Sequence, residues 1–146
     1  MNKFILFLFS LTLVSCSLKK EIGAVKHTHL PRPIGPYSHS TNYGDLIFIS
    51  GQIGLDQKTN SIKPGIEAQT VQIFENLKVI LENNDSDFNH IVKTTIFITD
   101  MKQFEMVNKI YSRYFNNRFP ARSTVEVISL PKNASIEIEC IAVKNK

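Results

Sequence analysis

The sequence holds only two cysteines, Cys16 and Cys140, in 146 residues. Cys16 closes an N-terminal stretch with the pattern of a removable targeting signal. One thiol then remains, no internal disulfide can form, and the fold must stand on its core alone. Lys and Arg never gather into a dense run, and the formal net charge is only +4; both points argue against a nucleic-acid footprint. The apolar run Phe4–Val14 is interrupted by Ser10 and Thr12. It is shorter than the roughly 20 residues a membrane-spanning helix needs. A glycine-rich phosphate loop and a nucleophile triad are both missing. His27 and His29 form an H-x-H pair without a third ligand, and His39 and His90 are isolated, so no metal site is expected.

What the N-terminus does contain is a complete signal pattern. Asn2-Lys3 is a short positive region, Phe4–Val14 an apolar one, and Leu13-Val14-Ser15-Cys16 follows. This resembles the bacterial lipobox, in which cleavage precedes the cysteine and its thiol receives lipid. The expected organisation is a signal peptide over residues 1–15, a tether over 16–25 and one domain over 26–146. Lipid on Cys16 would hold the protein at a membrane of the cell envelope, outside the cytoplasm. Ser17 after the cysteine carries no acidic retention signal. The remaining length suffices for one domain with a real core.

Periodicity organises that domain. Lys26–Leu30 reads as a first strand. Pro31, Pro33 and Pro36 force an irregular segment, since proline fixes φ and removes a donor. Leu46–Ser50 reads as a buried strand, and Asp56–Asn60 has turn chemistry. Ile66 to Asn83 has helical spacing, with Ile66, Ile73, Phe74, Leu77, Ile80 and Leu81 on one face. Ile91–Thr99 is rich in Val, Ile, Thr and Phe and predicts a strand. Asp100 opens a second helix, with Gln103 as its capping-box partner and Phe104, Val107, Tyr111, Tyr114 and Phe115 as its apolar stripe. Two strands close the chain, over Phe119–Val127 and Ile136–Val143, and are expected to pair. Cys140 shares a face with Ile136, Ile138 and Ala142 and is expected to be a buried small hydrophobe. This order predicts an α+β fold with both helices on one face of a sheet. The uncovered face predicts an oligomer.

Arg122, after a rigid Pro-Ala at the mouth of a strand, is suited to hold a carboxylate through two parallel hydrogen bonds. A surface ion pair with Glu126 or Glu137 is the competing reading. Glu137 and Glu139 lie in line with Ile141 and Val143, where partial burial would raise a carboxyl pKa and suit a proton donor or water-orienting base. An exposed strand face is the alternative. Gly35-Pro36-Tyr37 sets a phenol after a stiff turn, and Ser50-Gly51 ends a buried strand where a ligand can approach backbone. Asn108 falls on the polar side of the second helix.

Taken together, Ile34-Gly35-Pro36-Tyr37-Ser38, Ile49-Ser50-Gly51-Gln52, Val92–Phe97, Val107-Asn108, Pro120-Ala121-Arg122-Ser123 and Ile136-Glu137-Ile138-Glu139 resemble the RidA/YjgF/UK114 (Rid) family in order and spacing, over about residues 24–144. The resemblance implies a chorismate-mutase-like α+β fold and a homotrimer with clefts between subunits. It implies hydrolysis of 2-imino acids, or of their 2-aminoacrylate-type enamine tautomers, to 2-oxo acids and ammonia, with no cofactor. It further implies that Arg122 binds the substrate carboxylate and Glu137 positions water. Tyr37, Ser50, Gly51 and Asn108 would line the pocket. Thr124 would also lie in the substrate pocket, where many members carry cysteine; it keeps a small polar group but no thiol, so thiol-based switching is not expected. His39 replaces a common glutamine and receives no role. The leading expectation is an envelope-anchored 2-imino acid deaminase. The alternatives are a non-catalytic lipoprotein that retains small 2-oxo or imino acids, and a structural trimer at the membrane.

Overall fold

The computed structural model describes residues 22–25, 29–116 and 118–145. The signal, Cys16, the tether as far as residue 21, and His27 lie outside the described residues. Six strands form one mixed sheet: β1 (Ile22–Ala24), β2 (Ser40–Tyr43), β3 (Leu46–Ile53), β4 (Ile91–Ile98), β5 (Ala121–Glu126) and β6 (Ile136–Val143), in the order β1-β2-β3-β6-β4-β5. Two α-helices, α1 (Gly65–Glu82) and α2 (Phe104–Tyr111), accompany it. All pairings are antiparallel except β4 with β5, which α2 connects as a β-α-β unit.

The expected α+β architecture with both helices on one sheet face is present. From α1 come Ile73, Phe74, Leu77, Ile80 and Leu81, spaced as one helical stripe, and from α2 Val107 and Tyr111. They pack on Ile47, Ile49, Ile96, Ile98, Ile136, Ile138 and Ala142, the alternate residues that β3, β4 and β6 turn to that side. Cys140 sits among them, 3% exposed, and burial pushes its thiol pKa up to about 12. It is the inert core residue expected of it. At the α2 end the core is aromatic: Phe74 stacks on Tyr114 with centroids 4.1 Å apart and meets Tyr111 edge-on at 5.7 Å.

Polar side chains of α1 also hold the loops. Gln69 donates to the Lys63 carbonyl at 3.0 Å and accepts from the Ser135 N–H at 2.8 Å. Asn76 donates to the Leu55 carbonyl at 3.0 Å. These bonds clamp the segments after β3 and before β6, and so hold the ends of the two strands that carry Gly51 and Glu137.

The structure departs from several of these expectations. The strand expected over Lys26–Leu30 lies outside the described residues as far as Thr28; His29 and Leu30 lie in a bend, and His29 has φ of 64°. The edge strand of the described sheet is Ile22–Ala24, inside the stretch read as a tether. β2 went unread because Ser-Thr-Asn-Tyr has little apolar alternation. A hairpin through Gly44, φ 61°, sets it beside β3. β3 does not stop at Ser50, because a bulge between Ile49 and Gln52 carries pairing on to Ile53. Finally, β5 and β6 do not pair with each other: β4 lies between them. The second helix also starts late. Asp100 caps a single 3₁₀ turn, accepting from the Lys102 N–H at 3.0 Å, and α2 follows from Phe104.

Candidate functional site

Register across β5, β4 and β6 decides which face each residue occupies. Arg122 lies opposite Thr94, and Thr94 opposite Cys140. Phe97 lies opposite Glu137. Because side chains alternate along a strand, Arg122 points to the helix-covered face and Glu137 to the open one. The carboxylate-binding and acid candidates therefore belong to two half-sites on opposite faces of the same sheet.

The Arg122 half-site is a cleft of about 440 Å³ lined by Asn108, Tyr111, Ser112, Phe119, Pro120 and Arg122. The guanidinium carbon lies 4.8 Å from the centroid of the Tyr111 ring and 5.6 Å from that of Phe104. Arg122 is only half-exposed, and no carboxylate pairs with it among the described residues. The competing ion-pair reading fails residue by residue. Glu126 instead accepts the Met101 N–H at 2.9 Å, and Glu137 is on the far face. Asn108 Oδ1, in the cleft wall, is buried without a hydrogen-bond partner, as is Oγ1 of Thr124, two residues beyond Arg122 on the same face of β5 but not among the cleft's lining residues. Buried polar atoms without partners are costly and rare, and those beside an unpaired cation mark where a polar ligand fits. Asn108 is thus not the solvated residue that its helical position suggested.

The second half-site is a cleft of about 430 Å³ lined by Ile34, Tyr37, Ser50, Gly51, Ile53, Pro131 and Glu137. Three of the expected residues, Tyr37, Ser50 and Gly51, therefore meet Glu137 here. Ser50 Oγ donates to the Ser38 carbonyl at 2.7 Å, and the Ser50 N–H donates to the His39 carbonyl at 3.0 Å. These bonds fasten the proline-rich loop bearing Tyr37 to β3. His39 contributes too, through a 3.0 Å bond between Nε2 and the Pro31 carbonyl. At Gly51, a Cβ would overlap the Glu137 carboxylate. Only glycine leaves the acid room to lie across the strand. Burial raises the Glu137 pKa above the usual carboxylate range, and the Glu139 charge on the same face adds to it. Glu139 itself is exposed. His29 is exposed in its bend, and among the described residues no group of three or more His, Cys, Asp or Glu is placed to hold a metal.

Phe104 and Tyr111 were legible only as an apolar stripe. Their spacing of seven puts them on one helical face, and the sequence does not say that this face meets β5 at Arg122. Phe119, 58% exposed at the cleft mouth, likewise had no marker beyond its place before Pro120.

The family model for Endoribonuclease L-PSP matches residues 27–144. Reactive Intermediate Deaminase A, chloroplastic, of Arabidopsis thaliana is 42% identical over 134 residues, covering 91% of this chain and 71% of that protein. A Rid-family protein of Yersinia pestis superposes with a TM-score of 0.81 at 41% identity, covering 84% of this chain and 99% of that one. E. coli TdcF, solved with bound serine, superposes with a TM-score of 0.80 at 34% identity, over 84% of this chain and 99% of the other. Match length, identity and the chorismate-mutase-like sheet agree, and the chain belongs to the Endoribonuclease L-PSP (RidA/YjgF) family.

Proposed function

We propose that this protein is a hydrolase that deaminates small reactive 2-imino acids, or their enamine tautomers, to 2-oxo acids and ammonia. The observation that carries this reading is Arg122: a half-buried guanidinium without a carboxylate partner among the described residues, held over two rings in a cleft that also holds the unpartnered buried Asn108 Oδ1. Such a group is ready to take a carboxylate through paired hydrogen bonds. The relatives agree, one named for reactive-intermediate deamination and another solved with a small amino acid.

The chemistry asks little of the protein. An imine carbon is already electrophilic, so water has only to be held in line and the nitrogen supplied with a proton. Glu137, as carboxylate, accepts a proton while the water oxygen bonds to the imine carbon, and the π pair moves to nitrogen. The proton passes to that nitrogen. Glu137 then takes the hydroxyl proton of this neutral carbinolamine and delivers it to the amine; the oxygen pair closes the C=O bond as the C–N bond breaks, ammonia departs, and the 2-oxo acid remains. A raised Glu137 pKa brings the group closer to the pH at which it both accepts and donates. Tyr37 and the Ser50-Gly51 backbone form the wall beside it.

Arg122 and Glu137 lie on opposite sheet faces, so a complete cleft needs Arg122 from one copy and Glu137 from the next. The homotrimer typical of the family supplies that arrangement, and the open face offers Leu46, Phe48 and Val125, each 39–45% exposed, for packing between copies. The soluble chain from Ser17 onward, given 2-iminobutanoate generated enzymatically, should accelerate ammonia release. No acceleration over buffer rejects the deaminase. Saturable 2-oxobutanoate binding without turnover would establish the retaining lipoprotein instead.

The lipobox-like Leu13–Cys16 supports placing this activity in the cell envelope, on a lipid anchor at Cys16. Cells fed labelled palmitate should yield labelled protein, and Cys16→Ser should yield none. An unlabelled wild-type chain would reject the anchor.

A further inference from the structure

We propose that Tyr111, locked by Thr94, is a positioning residue that holds the Arg122 guanidinium in its carboxylate-binding orientation; the inference rests on the role proposed for Arg122. Three elements converge on this point. β5 brings Arg122, β4 brings Thr94 directly beside it in register, and α2 brings Tyr111 and Phe104 down from the helical layer. The Tyr111 ring is 3% exposed and lies under the guanidinium at 4.8 Å. Its hydroxyl and that of Thr94 are hydrogen-bonded at 2.9 Å inside the core. Phe115 also stacks on the Tyr111 ring, with a centroid distance of 4.6 Å and 30° between the planes.

The consequence is geometric. An arginine held in place by an ion pair spends its donors on the carboxylate that holds it. An arginine held by an aromatic face keeps all its N–H groups in the plane of the guanidinium, free for a ligand. The Thr94 bond sits next to the residue being held, so the ring cannot tilt without breaking a buried hydrogen bond or moving β4. The brace thus removes rotamer freedom from Arg122 before substrate arrives, and binding does not have to remove it.

The test uses the assembled soluble protein and four variants, Tyr111→Phe, Thr94→Val, Thr94→Ser and Arg122→Lys. Tyr111→Phe and Thr94→Val should each raise KM, and the Kd for 2-oxobutanoate, about three- to tenfold while kcat changes less than about twofold. Thr94→Ser, which keeps the hydroxyl, should behave as wild type. In an Arg122→Lys background, where no planar guanidinium remains to stack, Tyr111→Phe should add nothing to KM. NMR order parameters of the Arg122 Nε–H should fall in Tyr111→Phe with no ligand present. A lowered melting temperature with unchanged KM, Kd and Arg122 order would overturn the inference and leave Tyr111 as a core residue. A wild-type protein that binds no small carboxylate would overturn the functional reading, while the Arg122 order parameters would still decide the brace.

Discussion

Arg122→Ala should lower kcat/KM by roughly 10²–10³-fold, about 3–4 kcal/mol, the cost of truncating one partner of a desolvated, hydrogen-bonded charge pair. The loss should appear at least as strongly in KM as in kcat, because the carboxylate is present in substrate and transition state alike. Arg122 makes no ion pair among the described residues, so its removal should lower the melting temperature by only a few degrees; the lost stacking over Tyr111 and Phe104 is worth about 1 kcal/mol. Arg122→Lys should recover only part of the activity. An ammonium keeps the charge but has neither the fork that matches two carboxylate oxygens nor the plane that lies on the ring. Steady-state kinetics on the pair, beside thermal melts, separate a binding role from a folding one. Wild-type kinetics in the alanine variant would remove Arg122 from the site.

Glu137→Gln should lower kcat by about 10²–10³-fold with KM little changed, since the amide fills the same space but cannot take a proton from water. Its stability should move the other way. Folding raises the Glu137 pKa above its ordinary value of 4.5, through burial and the Glu139 charge. The stabilising contribution of this group is therefore fully present below its unfolded pKa and is lost as pH rises through the folded value. Once ionised, the wild-type carboxyl is a partly desolvated anion; glutamine in its place carries no such cost. The melting temperature of Glu137→Gln relative to wild type should accordingly be higher at pH 8 than at pH 4. A difference that does not grow with pH would show that the carboxyl is solvated, and the proton-transfer role assigned to it would lose its physical basis.

Much of this site was readable from residue types, and what was not has a common cause. The helical stripe of α1, the strand alternation of Ile136–Val143 and the burial of Cys140 all follow from local period, and local period survives folding. Arg122, Glu137, Tyr37, Ser50 and Gly51 drew attention because a cation, an acid, a phenol and a glycine each stood beside a stiff or apolar neighbour. Strand order, by contrast, depends on which edges meet. Reading β5 and β6 as partners put Arg122 and Glu137 side by side, whereas β4 inserts between them and alternation turns them to opposite faces. β2 escaped notice because its Ser-Thr-Asn-Tyr takes its strand conformation from the β3 edge rather than from its own propensity. The environment of Asn108 also depends on packing. Helical position alone suggested a polar face, and only the approach of β5 shows that face closed over an acceptor with nothing to accept.

The placement of Arg122 and Glu137 back to back has a kinetic consequence. No motion of side chains brings them together within one chain, because a β-sheet stands between them. Under the proposed reading, the catalytic unit is a junction and not a polypeptide, and its abundance obeys mass action. Specific activity should then fall on dilution below the dissociation constant of the assembly, and recover on concentration, with every chain folded throughout.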